Sequence, residues 1–198
     1  MRLSLSKKSR LLLATTLLGG LLTACNEQPD SGPTPIVSQP PITSQPMPPL
    51  SGNSINTLGW ELSDGKRDLF SAHKGKVLVL DFYATWCEPC RNSVPHLIEL
   101  QNKFAPQGVL VIGLNVGGPD DLARVSDFAR QLGIKYSLGT PDNELVTLLL
   151  SGSDAIPQTF VFDRQGQLVE RFIGYGPATG DRITKAVEAA TSASPNSK

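Results

Sequence analysis

Val77-Leu78-Val79-Leu80-Asp81-Phe82-Tyr83-Ala84-Thr85-Trp86-Cys87-Glu88-Pro89-Cys90 is an apolar and aromatic run broken only by Asp81, then a short turn, then two cysteines with two residues between them. Such a continuous run suits a strand buried on both faces. Over 90–104 the apolar residues Val94, Leu97, Ile98 and Leu100 recur at helical intervals. The cysteine pair therefore stands where a buried strand passes into a helix. Thiol-disulfide exchange requires a thiolate, and a thiol at a helix N-terminus gains one from the exposed N–H groups and the helix dipole. Cys87 is accordingly read as the nucleophile. Cys90, one turn inside, can attack a mixed disulfide on Cys87 and is expected to be more buried and less acidic.

Two other readings of the pair are weaker. A purely structural bridge across two residues closes a very short loop, which gives less stabilisation than a long-range bridge. A zinc site needs four protein ligands, or three and a water, and only His73 and His96 supplement the pair. Both histidines are expected in surface or loop positions.

Working outward, the chain after residue 53 alternates strand and helix signals, which argues for an α/β domain. Residues 60–62 and 68–70 flank the turn-like Asp64-Gly65 and suggest a hairpin. A second buried strand is expected over 109–116. Asp120 or Asp121 is expected to cap a helix that runs to Leu132 and stops at Gly133. Pro141 and Asp142 precede a shorter helix near 144–150. Residues 159–163 and 168–173 read as strands joined by Arg164-Gln165-Gly166, and Asp181 is expected to cap a last helix through Ala190.

Residues 1–24 have the layout of an export signal, with a basic stretch through Arg10, an apolar run from Leu11 to Leu22 and small residues before Cys25. The run is too short to span a bilayer, which takes about 20 apolar residues. Leu22-Thr23-Ala24-Cys25 resembles the bacterial lipobox, after which Cys25 becomes the acylated N-terminus; two or more chains give stable anchoring. Lipidation of Cys25 would also account for the odd member of the three cysteines. Asn26 lacks the aspartate that commonly signals inner-membrane retention, which leans toward the outer membrane where there is one. Residues 25–53 hold eight of the sixteen prolines, between Pro29 and Pro49, and read as an extended tether. At about 3.1 Å per residue it reaches on the order of 80 Å. The globular domain is placed at 54–192, with a flexible tail over 193–198. Lys plus Arg and Asp plus Glu are 18 each, but Arg2, Lys7, Lys8 and Arg10 leave with the leader, so the mature balance is 14 minus 18, or −4. Neither nucleic-acid binding nor a polytopic membrane protein fits.

The segment from Asp81 to Cys90, together with Ile156-Pro157-Gln158-Thr159-Phe160-Val161, resembles thioredoxin-fold thiol-disulfide oxidoreductases of the ResA/TlpA type over roughly residues 55–190. The resemblance implies an α/β thioredoxin fold, a central mixed sheet flanked by helices, with an N-terminal hairpin and a central insertion. It also implies that Pro157 is a cis-proline facing the disulfide and that the backbone of Ile156 docks an extended substrate; from sequence alone trans is the default. Thioredoxin has a buried aspartate where Asp81 stands, while several ResA-like proteins have an uncharged residue there. Burial would raise the Asp81 pKa and let it exchange protons with Cys90, or else Asp81 is hydrogen-bonded and inert. Glu88, with Pro89, either tunes the thiolates or is a solvated turn. Trp86 covers the sulfurs or presents an apolar docking surface, or else serves packing alone.

Family resemblance favours reduction of protein disulfides outside the cytoplasm, including the haem-binding cysteines of apocytochrome c, with electrons from a membrane thiol transporter. A disulfide-forming oxidase is one alternative and a binding or chaperone lipoprotein without turnover is another. A peroxidase is disfavoured because the usual Thr-x-x-Cys arrangement is not evident at Cys87. No cofactor is expected beyond the redox-active Cys87–Cys90 pair: Gly117-Gly118 makes no dinucleotide fingerprint, and no P-loop is present.

Overall fold

A computed structural model describes residues 55–193. The leader, Cys25, the tether over 25–53 and the tail beyond Ala193 lie outside the described residues. The sheet has seven strands: β1 (Gly59–Leu62), β2 (Arg67–Leu69), β3 (Val77–Tyr83), β4 (Val109–Asn115), β5 (Ser137–Pro141), β6 (Gln158–Phe162) and β7 (Leu168–Ile173), in the order β2-β1-β5-β4-β3-β6-β7. β3–β4 and β4–β5 are parallel, while the other neighbours are antiparallel. The helices are α1 (Glu88–Phe104), α2 (Pro119–Leu122), α3 (Val125–Leu132), α4 (Asn143–Leu150) and α5 (Pro177–Ser192).

β3 lies at the centre with all seven residues buried, which is why its sequence shows no alternation. Val77 and Val79 face a core shared by Leu97, Leu100 and Phe104 of α1 and by Ile183 and Val187 of α5. Leu78, Leu80 and Phe82 face the opposite core, with Trp60, Phe70, Phe160, Phe162 and Leu145 and Leu149 of α4. Each fully buried Leu or Phe contributes about 1.5–3 kcal/mol. These two cores hold β3 in one register and so fix where it delivers the chain at Tyr83.

Three expectations are corrected, and one strand had no counterpart in the sequence reading. β5 was not read as a strand: Ser137-Leu138-Gly139-Thr140-Pro141 has little strand propensity, and backbone pairing to β4 and β1 makes it one. The helix expected to run on to Leu132 is two, broken at Ala123–Arg124, and its first part is capped by Gly118 at φ 86° rather than by an aspartate. The last helix starts at Pro177 behind Gly176, with Asp181 a turn inside, because proline is pre-shaped for a first helical turn. His73 and His96 are half-buried rather than free on the surface, with His73 Nε2 3.0 Å from Asp68 Oδ2 and His96 Nε2 2.9 Å from Thr184 Oγ1. The hairpin forms as expected, and the segment between β4 and Pro157 carries α2, α3, β5 and α4. Among the described residues no helix is long and apolar enough to cross a membrane.

Candidate active site

Beyond Tyr83 the chain makes a turn closed by the Cys87 N–H donating to the Ala84 carbonyl at 3.2 Å. Cys87 then caps α1 with extended backbone, and its sulfur accepts the Cys90 N–H at 3.2 Å. Pro89 sits in the first turn, where its missing N–H leaves no helical bond unmade. Cys87 and Cys90 are joined as a disulfide. Cys87 keeps 5% of its surface accessible and Cys90 none, in the order expected for an attacking and a resolving thiol. In the reduced form the amide now pointing at the Cys87 sulfur would stabilise its thiolate, together with the partial positive charge of the helix end.

The second half of the site comes from the loop before β6. Ile156-Pro157 is a cis peptide, and the Ile156 carbonyl oxygen lies 3.7 Å from Cys87 Sγ. Ile156 packs against the cluster that contains Tyr83, Cys87, Cys90 and Phe128. The structure thus brings Cys87, Cys90, Ile156 and Pro157 together. Trp86, 63% exposed, and the exposed Glu88 and Pro89 neighbour the pair along the chain.

Asp81 is 3% exposed and pairs across the sheet with Thr159, whose hydroxyl donates to its carboxylate at 2.8 Å. Strand alternation puts Asp81 on the same side as Val79 and Tyr83, the side that α1 and Cys90 cover. Burial pushes its carboxyl up to about 7, against a single hydrogen bond that favours the charge.

Asp121 and Asn115 were not read as site residues, and neither was the Gln158–Arg171 pair. Asp121, expected to cap a helix, turns inward and accepts from the Thr85 N–H at 2.9 Å, the Thr85 hydroxyl and the Asn115 amide at 2.7 Å. Arg171 is a buried cation on β7 that donates through Nε (2.9 Å) and Nη2 (2.6 Å) to Gln158 Oε1. Gln158 Nε2 in turn donates to the carbonyls of Ser153 and Ala155 at 2.9 and 2.7 Å, tying down the loop that ends in Pro157. The only sequence signals were an asparagine closing an apolar strand and an arginine inside one. Among the described residues no group of three His, Cys, Asp or Glu side chains could hold a metal ion.

The raised Asp81 pKa makes a prediction about stability. The folded state holds the Asp81 proton up to about pH 7, whereas the unfolded chain releases it near 3.8. Between those values the folded state binds more protons, so this group's contribution to stability is full below about pH 4 and declines as pH rises toward 7. At about 1.4 kcal/mol per pH unit the loss amounts to about 4 kcal/mol. Asp81→Asn should therefore resist urea better than the wild type at pH 8, and the advantage should vanish at pH 4. Equal differences at both pH values would show that Asp81 ionises normally in the fold.

The AhpC/TSA family profile matches residues 46–171. The thiol-disulfide oxidoreductase ResA of Bacillus thuringiensis (strain Al Hakam) is 32% identical over 111 residues, 56% of this chain and 62% of that protein. ResA of Bacillus subtilis (strain 168) is 31% identical over 114 residues, 58% of this chain and 62% of that protein. The match thus spans a little under two thirds of these relatives. Among solved structures, a putative thiol:disulfide interchange protein DsbE from Chlorobium tepidum superposes with a TM-score of 0.59 at 27% identity, over 67% of this chain and 92% of that one. The mixed sheet with its flanking helices is therefore a thioredoxin fold, and with a family match over more than half its length the chain belongs to the AhpC/TSA family.

Proposed function

We propose that this protein is an extracytoplasmic, membrane-anchored thiol-disulfide oxidoreductase that reduces disulfides of protein substrates. The observation that carries the reading is the Cys87–Cys90 disulfide at the start of α1, with Cys87 the more accessible sulfur and Ile156-Pro157 beside it. The likeness to ResA and to the DsbE structure supports exchange chemistry.

In the reductive direction the Cys87 thiolate attacks one sulfur of a substrate disulfide, forming a mixed disulfide and expelling a substrate thiolate. Cys90 then loses its proton to ionised Asp81 and attacks the Cys87 sulfur. The second substrate thiolate leaves, and the protein is left as the disulfide observed here. Two electrons pass from the dithiol to the substrate, and an external dithiol reductant restores them. Asp81 suits the proton transfer because at a pKa of about 7 it exists in both forms near neutrality. The Ile156 backbone and the exposed face of Trp86 form the surface against which a substrate segment would lie. Two clefts of about 370 and 300 Å³ share Asn115, Leu122 and Thr140, and neither is lined by a cysteine. The sulfur pair is thus outside both clefts, an arrangement suited to a macromolecular substrate. Apocytochrome c is such a substrate by resemblance, with a membrane thiol transporter as electron donor.

Two experiments test this. Cys90→Ser should accumulate substrates covalently trapped on Cys87, while Cys87→Ser should abolish reduction of insulin disulfides; turnover surviving Cys87→Ser, or no trapped adduct, would reverse or remove the assigned order of attack. Cys25→Ala should move the protein from the membrane to the soluble fraction of an expressing bacterium. Unchanged membrane association in that variant would rule out lipidation as the anchor.

A further inference from the structure

Resting on the exchange reading above, we propose that Asp121 is a positioning residue for Cys87: its carboxylate clamps the 84–87 turn through Thr85 and holds a negative charge against the turn that carries the attacking sulfur. Asp121 is 2% exposed. A carboxylate so placed is costly unless it is fully hydrogen-bonded. Among the described residues it makes no salt bridge within 4 Å, and two of its three donors belong to one residue of the turn, the N–H and hydroxyl of Thr85. The third is Asn115 Nδ2, whose own Oδ1 accepts the Gly117 N–H at 3.2 Å. Thr85 is also held at its carbonyl, 3.4 Å from Arg91 Nη1.

The loop after β4 is built around this carboxylate. The Val116 N–H donates to the Tyr83 carbonyl at 2.9 Å, stitching the loop to the end of β3. A side chain at Gly117 would bring a Cβ within 2.3 Å of Asp121 Oδ2, so the backbone there closes directly over the carboxylate. Such exact enclosure serves the turn it grips, because Cys87 is two residues beyond Thr85 and its N–H closes the same turn on Ala84. Burial opposes ionisation of Asp121, but the Thr85 hydroxyl and N–H and the Asn115 amide outweigh it and hold the carboxyl below its usual range. The other charged groups around the turn are Glu88 and Arg91 on α1, Asp81 on β3, and Asp120 and Arg124 beside Asp121; Asp127 and Arg130 on α3 pair with each other. A fixed anion here raises the cost of forming the Cys87 thiolate, offsetting the helix end and disposing the pair to give up electrons once reduced.

The test is the pH dependence of Cys87 alkylation by iodoacetamide in the full chain reduced with dithiothreitol, followed by mass spectrometry of the Cys87 peptide. Asp121→Asn keeps the size and one acceptor for the Thr85 N–H but removes the charge; its alkylation midpoint should fall by half a pH unit or more. A folded variant with an unchanged midpoint would overturn the proposal, since a merely structural carboxylate would alter only stability. Should Asp121→Asn fail to fold, Thr85→Val takes its place: it strips the hydroxyl donor that favours the ionised carboxylate, loosens the grip on the turn, and should lower the midpoint. An unchanged midpoint there would overturn the proposal equally. Absence of insulin reduction by the wild type would end the exchange reading while leaving this comparison of thiol acidity intact.

Discussion

The antiparallel register between β3 and β6 is the constraint on which the site depends. β3 runs out toward Cys87 and β6 runs in from Pro157, so pairing Phe82 with Gln158 brings the cysteine turn and the proline loop to the same end of the sheet. The next pair inward, Asp81 with Thr159, sets the buried carboxyl against its one hydroxyl donor on the side of the sheet that α1 covers. A slip of one residue would turn Asp81 and Tyr83 to the opposite face and bring Leu80 and Phe82 in their place. That slip is opposed by both cores together, since the apolar residues on each face of β3 are almost fully enclosed. The chemistry is thus positioned by ordinary hydrophobic packing several residues away from it.

Two buried carboxyls lie near the sulfur pair, and their surroundings drive them in opposite directions. Asp81 has one hydroxyl donor and an apolar strand environment, so desolvation prevails and its proton is held up to about pH 7. Asp121 has as little exposed surface but is less deeply enclosed and receives three donors, which prevail over a weaker desolvation. Lack of exposed surface alone therefore does not decide the charge of a group; the depth of burial and the donors aimed at it decide it together. One carboxyl is left able to exchange a proton near neutrality, while the other stays an anion with a structural grip on the turn.

Much of this was legible in the chain. The apolar run of β3, the helix after it and the cysteine spacing are local patterns, and together they located the redox pair. The roles of Ile156 and Pro157 came from resemblance, because an X-Pro dipeptide by itself says nothing of its isomer or its neighbour across the site. β5 was hidden because its strand character comes from partners on both sides rather than from its own residues. Asp121 was misplaced for a related reason: an aspartate at the head of a helical pattern reads as a cap, and only the fold shows that Thr85, 36 residues earlier, claims its oxygens. The Gln158–Arg171 contact likewise depends on two strands meeting.

On the proposed function, the Cys87–Cys90 pair works as a reductant of disulfides. Its most direct test is the equilibrium reduction potential of that pair in the folded chain, measured against glutathione or dithiothreitol buffers. A reductant should show a value near the roughly −270 mV of thioredoxin. A value near the roughly −120 mV of a strongly oxidising protein would contradict it and make the protein a donor of disulfides instead.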